Sequence, residues 1–203
     1  MLVSKFMNME NAKIKNLTEE TLSSKKYQLK MVAFEYQLDD GSWDQQKREV
    51  YDAGNAVSVL LYNKEKHTIL LNKQLRIASY LNGNYSGMLI ETCAGKVEEN
   101  EDPKDTVLRE ILEETGYQVE SAEKIFEAYA SPGAYTELIY FYTAAYTSAQ
   151  KTSEGGGKAD EHEHIALIEM DFGEACRKVD DGLIRDAKTI MLIQYAQLKQ
   201  LFR

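Results

Sequence analysis

Between Gly95 and Tyr117 the sequence places acidic residues and glycines at a spacing suited to holding a divalent cation. The segment runs Gly95-Lys-Val-Glu-Glu-Asn-Glu101, continues for seven residues, and closes as Arg109-Glu110-Ile111-Leu112-Glu113-Glu114-Thr115-Gly116-Tyr117. Pro103 suits a first helical position, where its missing N–H is not needed, and Asp102 before it suits the N-cap. Gly116 supplies the left-handed residue that ends a helix. The spacing therefore predicts a helix over about 103–115. On it Glu110, Glu113 and Glu114 stand at i, i+3 and i+4 and project from one face. Val107, Leu108, Ile111 and Leu112 form the apolar stripe that anchors it. Arg109, four residues before Glu113, can hold that carboxylate by an ion pair. Clustered carboxylates repel one another, and a cation relieves the repulsion. Hard oxygen donors of this kind suit Mg²⁺ or Mn²⁺, which keep waters and bridge to phosphate oxygens. A solvated acidic face is the plainer alternative. Such a face needs neither glycines at both ends nor Glu101 nine residues before Glu110.

A second polar constellation follows three glycines, Gly155-Gly156-Gly157, as Lys158-Ala159-Asp160-Glu161-His162-Glu163-His164. A mobile glycine-rich loop suits a base that swings in on substrate binding. With no cysteine or third histidine nearby in sequence, a zinc site is disfavoured, and an incidental surface charge cluster remains open. Cationic candidates for phosphate are Lys47, Arg48, Arg76, Arg185 and Lys188; Arg48 and Arg76 are expected near strand ends, where a guanidinium can clamp a diphosphate bidentately. Tyr27, Tyr135 and Tyr140 can stack on a base, although among thirteen tyrosines core packing is the default.

The elements that position these groups follow from periodicity. Residues 26–38 partly alternate as a half-buried strand, Asp39-Asp40-Gly41 reads as a turn, and 42–51 as the returning strand. A second hairpin is expected from 56–62 and 68–76, and 88–94 reads as a strand leading into the acidic helix. Segments 118–130, 136–147 and 165–170 read as strands, with Ser131-Pro132-Gly133 as a turn between the first two and 150–164 as a polar loop. Segments 172–181 and 187–202 read as helices. Groups of strands with helices inserted predict an α+β fold rather than a doubly wound parallel sheet. The expected division is a small N-terminal β unit, 1–50, and a main domain, 51–203.

The chain of 203 residues carries a net charge of −9, which argues against nucleic acid or an anionic membrane as main partner. Two cysteines are too few for a disulfide framework. With no apolar stretch of signal-peptide or membrane-spanning length, a cytoplasmic location is expected.

The Gly95–Tyr117 spacing matches the Nudix box, and the chain from about Tyr27 onward resembles the bacterial GDP-mannose pyrophosphatases of the Nudix superfamily. The resemblance rests also on Arg76-Ile-Ala-Ser-Tyr-Leu-Asn82-Gly83-Asn84, on Gly87-Met-Leu-Ile-Glu91-Thr92-Cys93-Ala94-Gly95, on Ser131-Pro132-Gly133 with Thr136-Glu137, on the triple glycine, and on Ile184-Arg185-Asp186-Ala187-Lys188-Thr189. It implies a Nudix α/β/α sandwich whose N-terminal antiparallel β extension is exchanged in a homodimer. It implies hydrolysis of a nucleotide sugar, GDP-mannose giving GMP and mannose 1-phosphate. Implied metal ligands for Mg²⁺, or Mn²⁺, are the Ala94 carbonyl, Glu110, Glu114 and Glu163. Glu161 falls where the sister branch, the ADP-ribose pyrophosphatases, places its general base, with Glu113 and Arg109 completing the catalytic group. Tyr27, Lys47, Arg48, Glu49, Arg76, Glu137, His162 and Lys188 match positions that bind the nucleotide sugar. Two alternatives stand beside this reading: an ADP-ribose pyrophosphatase, and a non-catalytic nucleotide-binding module of the same fold. The intact box carboxylates and the lack of a DNA-binding segment weigh against the second.

Overall fold

The computed structural model describes residues 12–158 and 164–203. The chain divides into two compact units, one taking the chain up to Ala53 together with Ser131–Glu137, the other taking Gly54–Ala130 and Leu138–Arg203.

The first unit is an antiparallel sheet in the order β1 (Ile14–Ser24), β2 (Gln28–Gln37), β3 (Trp43–Asp52). The expected turn joins β2 to β3: Leu38 N–H donates to the Ser42 carbonyl, Gly41 takes φ 84°, and the Asp40 carboxylate accepts from Ser42 N–H at 2.9 Å. β1 was not apparent from periodicity. Every residue of it is exposed, and its pairing with β2 slips twice, between Lys15 and Thr18 and between Thr21 and Ser23. Each slip breaks the period-two pattern that betrays a strand. Residues 131–137 join this unit through Tyr51 N–H to the Ala134 carbonyl and Thr136 N–H back to the Tyr51 carbonyl.

The second unit is a seven-stranded mixed sheet between helices. Its main path is β10 (Ala166–Asp171), β5 (Thr68–Leu75), β4 (Ala56–Asn63), β9 (Leu138–Ala145), β8 (Glu123–Tyr129), with β4 and β9 parallel. Alternation along β4 explains the layers. Val57, Val59 and Leu61 enter one apolar cluster with Val107 and Ile111 of the acidic helix. Leu60 enters another with Ala175 of α3 (Phe172–Asp180) and Leu192, Ile193 and Ala196 of α4 (Ala187–Leu198). Each fully buried aliphatic side chain of this kind contributes about 1.5–3 kcal/mol. The result is the expected α+β class, with helices on both faces of the sheet.

One departure matters for the site. The strand expected over 88–94 is broken at Thr92 into β6 (Met88–Glu91) and β7 (Cys93–Lys96). β4 and β5 pair only where Leu61–Asn63 meets Thr68–Leu70; beyond that β5 pairs with β6, and β4 with β7. The two central strands thus part like a fork, and the kinked β6–β7 segment fills the opening. A short helix, α1 (Ile77–Leu81), also unforeseen, follows Arg76 at the end of β5. The strand expected from 118 begins only at Glu123, because Tyr117–Ala122 runs as irregular chain carrying Tyr117, Val119 and Ala122 into the core.

Candidate active site

The acidic helix begins as its sequence dictates. Asp102 caps it by accepting from Lys104 N–H at 2.8 Å, and Pro103 opens α2 (Pro103–Glu110). Its last turn, Ile111–Thr115, is wound as a π-helix and ends at Gly116 with φ 73°. A π turn advances fewer degrees per residue than an α turn, so the three carboxylates do not share one environment as simple i, i+3, i+4 spacing predicts. Glu114 turns inward and is only 2% exposed. Glu113 turns toward Arg109 and Lys158, with Lys158 Nζ at 3.2 Å.

Arg109 ties the acidic residues together. Nε and Nη2 donate to the two oxygens of Glu101 at 2.9 and 3.0 Å, and Nη1 donates to Glu110 at 2.7 Å and to Glu113 at 3.1 Å. The sequence-level ion pair to Glu113 is present but is one of three. The hydrogen bonds from Arg109 pull the Glu101 carboxyl down to about 2. That fork-to-fork pairing fixes the guanidinium, and the guanidinium aligns Glu110 and Glu113.

The inward carboxylate meets β5 and β7. Glu114 Oε2 accepts from Asn72 Nδ2 at 2.8 Å and from the Ala94 N–H at 3.1 Å. At the next residue, Gly95, an added β-carbon would overlap the Glu110 carboxylate, so the glycine at the start of the box makes room for the first glutamate on the helix. Asn72, fully buried, leaves its Oδ1 without a hydrogen-bond partner among the described residues. An orphaned acceptor in a buried polar site marks the place of a missing donor such as a water. Carboxylates, a backbone carbonyl at Ala94 and this acceptor are the hard oxygen donors that a Mg²⁺ with retained waters requires, so the residues fit a divalent cation. Among the described residues no three Asp, Glu, His or Cys groups converge as a complete metal site. Glu161, His162 and Glu163 lie outside the described residues.

The glycines that precede those residues are anchored. Gly156 N–H donates to the Glu114 carbonyl at 2.8 Å and Gly157 N–H to the Glu113 carbonyl at 3.2 Å, so they satisfy carbonyls that the helix end leaves open. A β-carbon on Gly155 would strike the Glu114 carbonyl oxygen and the Gly116 nitrogen, at 2.6 and 2.8 Å. The triple glycine, read from sequence as part of a mobile loop, lays the loop backbone directly on the end of the helix, an approach that side chains would block.

Arg76 and Lys188, drawn from distant parts of the sequence, meet at one carboxylate that sequence reasoning did not single out. Glu91, the last residue of β6 and 3% exposed, accepts from Arg76 Nε at 2.7 Å through Oε2 and lies 3.6 Å from Lys188 Nζ through Oε1. Asp186 caps α4 through the Thr189 N–H at 3.0 Å and also takes Lys188 Nζ at 2.7 Å. Asn72 and Glu91 are direct cross-strand partners, which puts both on the face of the sheet that carries the acidic helix. Their signal in the sequence was faint but present: each interrupts an apolar strand, after Ile69-Leu-Leu and after Met88-Leu-Ile.

Of the remaining expected residues, Arg185 belongs to the second unit and the others to the first. Lys47, Arg48 and Glu49 are exposed on β3 opposite Ala33, Val32 and Met31, so Lys47 and Glu49 share one face and Arg48 takes the other. Arg48 was expected near a strand end but sits mid-strand, its Nη2 on Gln46 Oε1 at 2.9 Å. Tyr27 packs edge-on against Tyr51 at 5.7 Å, and Tyr51 against Tyr135 at 5.3 Å. Glu137 closes the 131–137 segment of the same unit. Arg185 uses Nε to reach the Gly182 carbonyl.

A sheet between helices, with a capped acidic helix whose arginine organises its carboxylates, defines a Nudix hydrolase, and the chain belongs to that family. The NUDIX domain model matches residues 52–192, and the model described as the GDP-mannose pyrophosphatase NudK N-terminal domain matches residues 13–51. Among curated relatives, the GDP-mannose pyrophosphatase of Yersinia enterocolitica is 47% identical over 193 residues, covering 95% of this chain and 100% of its own. That of Cronobacter sakazakii is 46% identical over 183 residues, covering 90% and 94%. A solved structure of an ADP compounds hydrolase superposes with a TM-score of 0.68 at 14% identity, over 94% of this chain and 96% of its own, which speaks for the fold alone. Members of the family generally need a divalent metal. Among the described residues no helix is long and apolar enough to cross a membrane.

Proposed function

We propose that this protein hydrolyses the diphosphate of a nucleotide sugar, converting GDP-mannose to GMP and mannose 1-phosphate with Mg²⁺, or Mn²⁺ in its place. The observation that carries the reading is the near-full-length identity to GDP-mannose pyrophosphatases, spanning both the N-terminal unit and the hydrolase domain. The positions of Glu110 and Glu114 support it. The Ala94 carbonyl, Glu110, Glu114 and Glu163 would hold the metal, which would neutralise diphosphate charge and acidify the attacking water.

The chain's own residues do the rest. Arg109 keeps Glu110 and Glu113 aligned through its pairing with Glu101. Asn72 and the Ala94 N–H hold Glu114 in its inward orientation. Arg76 and Lys188 bind phosphate oxygens, and Tyr27, Lys47, Arg48, Glu49, Glu137 and His162 bind the nucleotide sugar. Glu161 takes the proton from the attacking water. The protein acts as a cytoplasmic homodimer with the N-terminal β unit, residues 1–50, exchanged between hydrolase domains of residues 51–203. Neither nucleic acid nor membrane is a partner, in keeping with the net charge of −9.

The test is purified protein with Mg²⁺ assayed side by side on GDP-mannose and ADP-ribose in ¹⁸O-labelled water. Preferred turnover of GDP-mannose, with label in one of the two monophosphates, is the expected result. Preference for ADP-ribose overturns the substrate, and inactivity on both overturns the reaction.

A further inference from the structure

We infer that Glu91 is a positioning residue that presets Arg76 and Lys188 as a two-point cradle for the substrate diphosphate. The inference rests on the reading of those two cations as phosphate-binding groups and deepens it.

Glu91 sits at the end of an otherwise apolar strand, where an aliphatic side chain would bury at no electrostatic cost. A carboxylate in that place carries a desolvation cost of several kcal/mol unless it is well paired. Its two oxygens are divided: Oε2 takes Arg76 Nε at 2.7 Å, and Oε1 faces Lys188 Nζ at 3.6 Å. Which nitrogen of Arg76 is used decides what the residue can do. Nε is tethered, while Nη1 and Nη2 make no hydrogen bond among the described residues, and the side chain keeps 42% of its exposure. The terminal edge of the guanidinium is therefore held at a fixed orientation and presented outward, as bidentate capture of a phosphate requires.

Lys188 is brought to the same carboxylate by a separate set of contacts. Asp186 caps α4, and the Thr92 N–H, at the break between β6 and β7, donates to Thr189 Oγ1 at 2.7 Å. Thr92 Oγ1 lies 2.9 Å from Ser58 Oγ on β4. This buried hydroxyl chain pins the start of α4 to the residue beside Glu91 and so fixes the spacing between the two cations. Arginine and lysine side chains each carry about 2 kcal/mol of rotamer entropy. Tethering them before substrate arrives removes part of that cost from binding.

Positioning and simple charge predict opposite signs. Removing a negative charge beside two cations strengthens anion binding if Glu91 acts only through its charge, and weakens it if Glu91 acts by holding them in place. The experiment is steady-state kinetics on GDP-mannose with Mg²⁺ for Glu91→Gln, Arg76→Met, Lys188→Met and the Glu91→Gln/Arg76→Met pair, with a melting curve for each. Glu91→Gln should raise KM roughly tenfold, and in the Arg76→Met background it should add much less, as expected for residues coupled through one contact. Glu91→Asp keeps the charge and withdraws it by one methylene. It should also raise KM, and it provides the test if the Gln variant does not fold. An unchanged or lowered KM in the folded Glu91 variants, or an equal effect with and without Arg76, overturns the inference. If Arg76→Met and Lys188→Met both leave KM unchanged, the phosphate-binding reading of the cations falls, and the inference with it. If they raise KM while Glu91→Gln does not, only the inference falls.

Discussion

The Glu110 carboxylate occupies the space that a β-carbon on Gly95 would fill. Gly95 lies on β7 and Glu110 ends α2, so the contact sets how closely the helix approaches the strand that carries Ala94, whose carbonyl we propose as a metal ligand. Gly95 does not need a left-handed backbone; its requirement is steric.

Gly95→Ala should therefore displace Glu110 without unfolding the protein. A misplacement of about 1 Å at a reacting centre costs roughly 100-fold in rate. The expected result is a loss of turnover on that scale and weaker Mn²⁺ binding by calorimetry, with a melting temperature within a few degrees of the parent. Unaltered Mn²⁺ affinity would count against Glu110 as a ligand.

Much of this site was legible in the sequence because it depends on local spacing. Asp102, Pro103 and Gly116 bound the helix as cap, first residue and left-handed terminus, and Arg109 is within reach of Glu113 by position alone. The π turn was not legible, since no residue type marks it, and it separates Glu114 from Glu113. Asn72 and Glu91 were missed for a different reason. Their role comes from sheet register and from the fork between β4 and β5, which period-two patterning does not encode. β1 was hidden by its two register slips and full exposure. The convergence of Arg76 and Lys188 on Glu91 needs contacts across about a hundred residues of chain, which spacing cannot express.

Asn72 should report on metal binding rather than on stability. It orients Glu114 by donating to Oε2, and its own Oδ1 is a buried acceptor left without a partner among the described residues. Loss of an outer partner of this kind costs roughly 10- to 100-fold in metal affinity or activity. Asn72→Ala should weaken Mn²⁺ binding in that range by calorimetry, and an unchanged dissociation constant would remove Asn72 from the site. Glu114→Gln, whose amide oxygen can still accept from Asn72 and Ala94, should stay folded and lose activity by orders of magnitude.

Gly155→Ala tests the anchoring of the loop. Gly155 has φ 70°, and a β-carbon there would press on the Glu114 carbonyl and the Gly116 nitrogen. The loop should lift from the helix end, and the amides of Gly156 and Gly157, now bonded to the Glu114 and Glu113 carbonyls, should exchange hydrogen faster. Because the same loop leads to Glu161 and Glu163, turnover should fall together with that protection. Full protection in the variant would show that the loop docks by other contacts.

Acid should undo the Arg109 arrangement through Glu101. Its carboxyl titrates at about 2 in the folded protein because Arg109 hydrogen-bonds it, against 4.5 for an unperturbed glutamate. A folded-state pKa below the unfolded one contributes stability that is complete above about pH 4.5 and is lost as pH falls toward 2. Glu101→Gln removes that contribution at neutral pH and leaves nothing to lose in acid. Urea unfolding between pH 7 and 2 should therefore find the variant less stable than the parent at pH 7, with the two curves converging as pH approaches 2. A gap that stays constant over the whole range would mean that Glu101 acts by packing and not by its charge on Arg109.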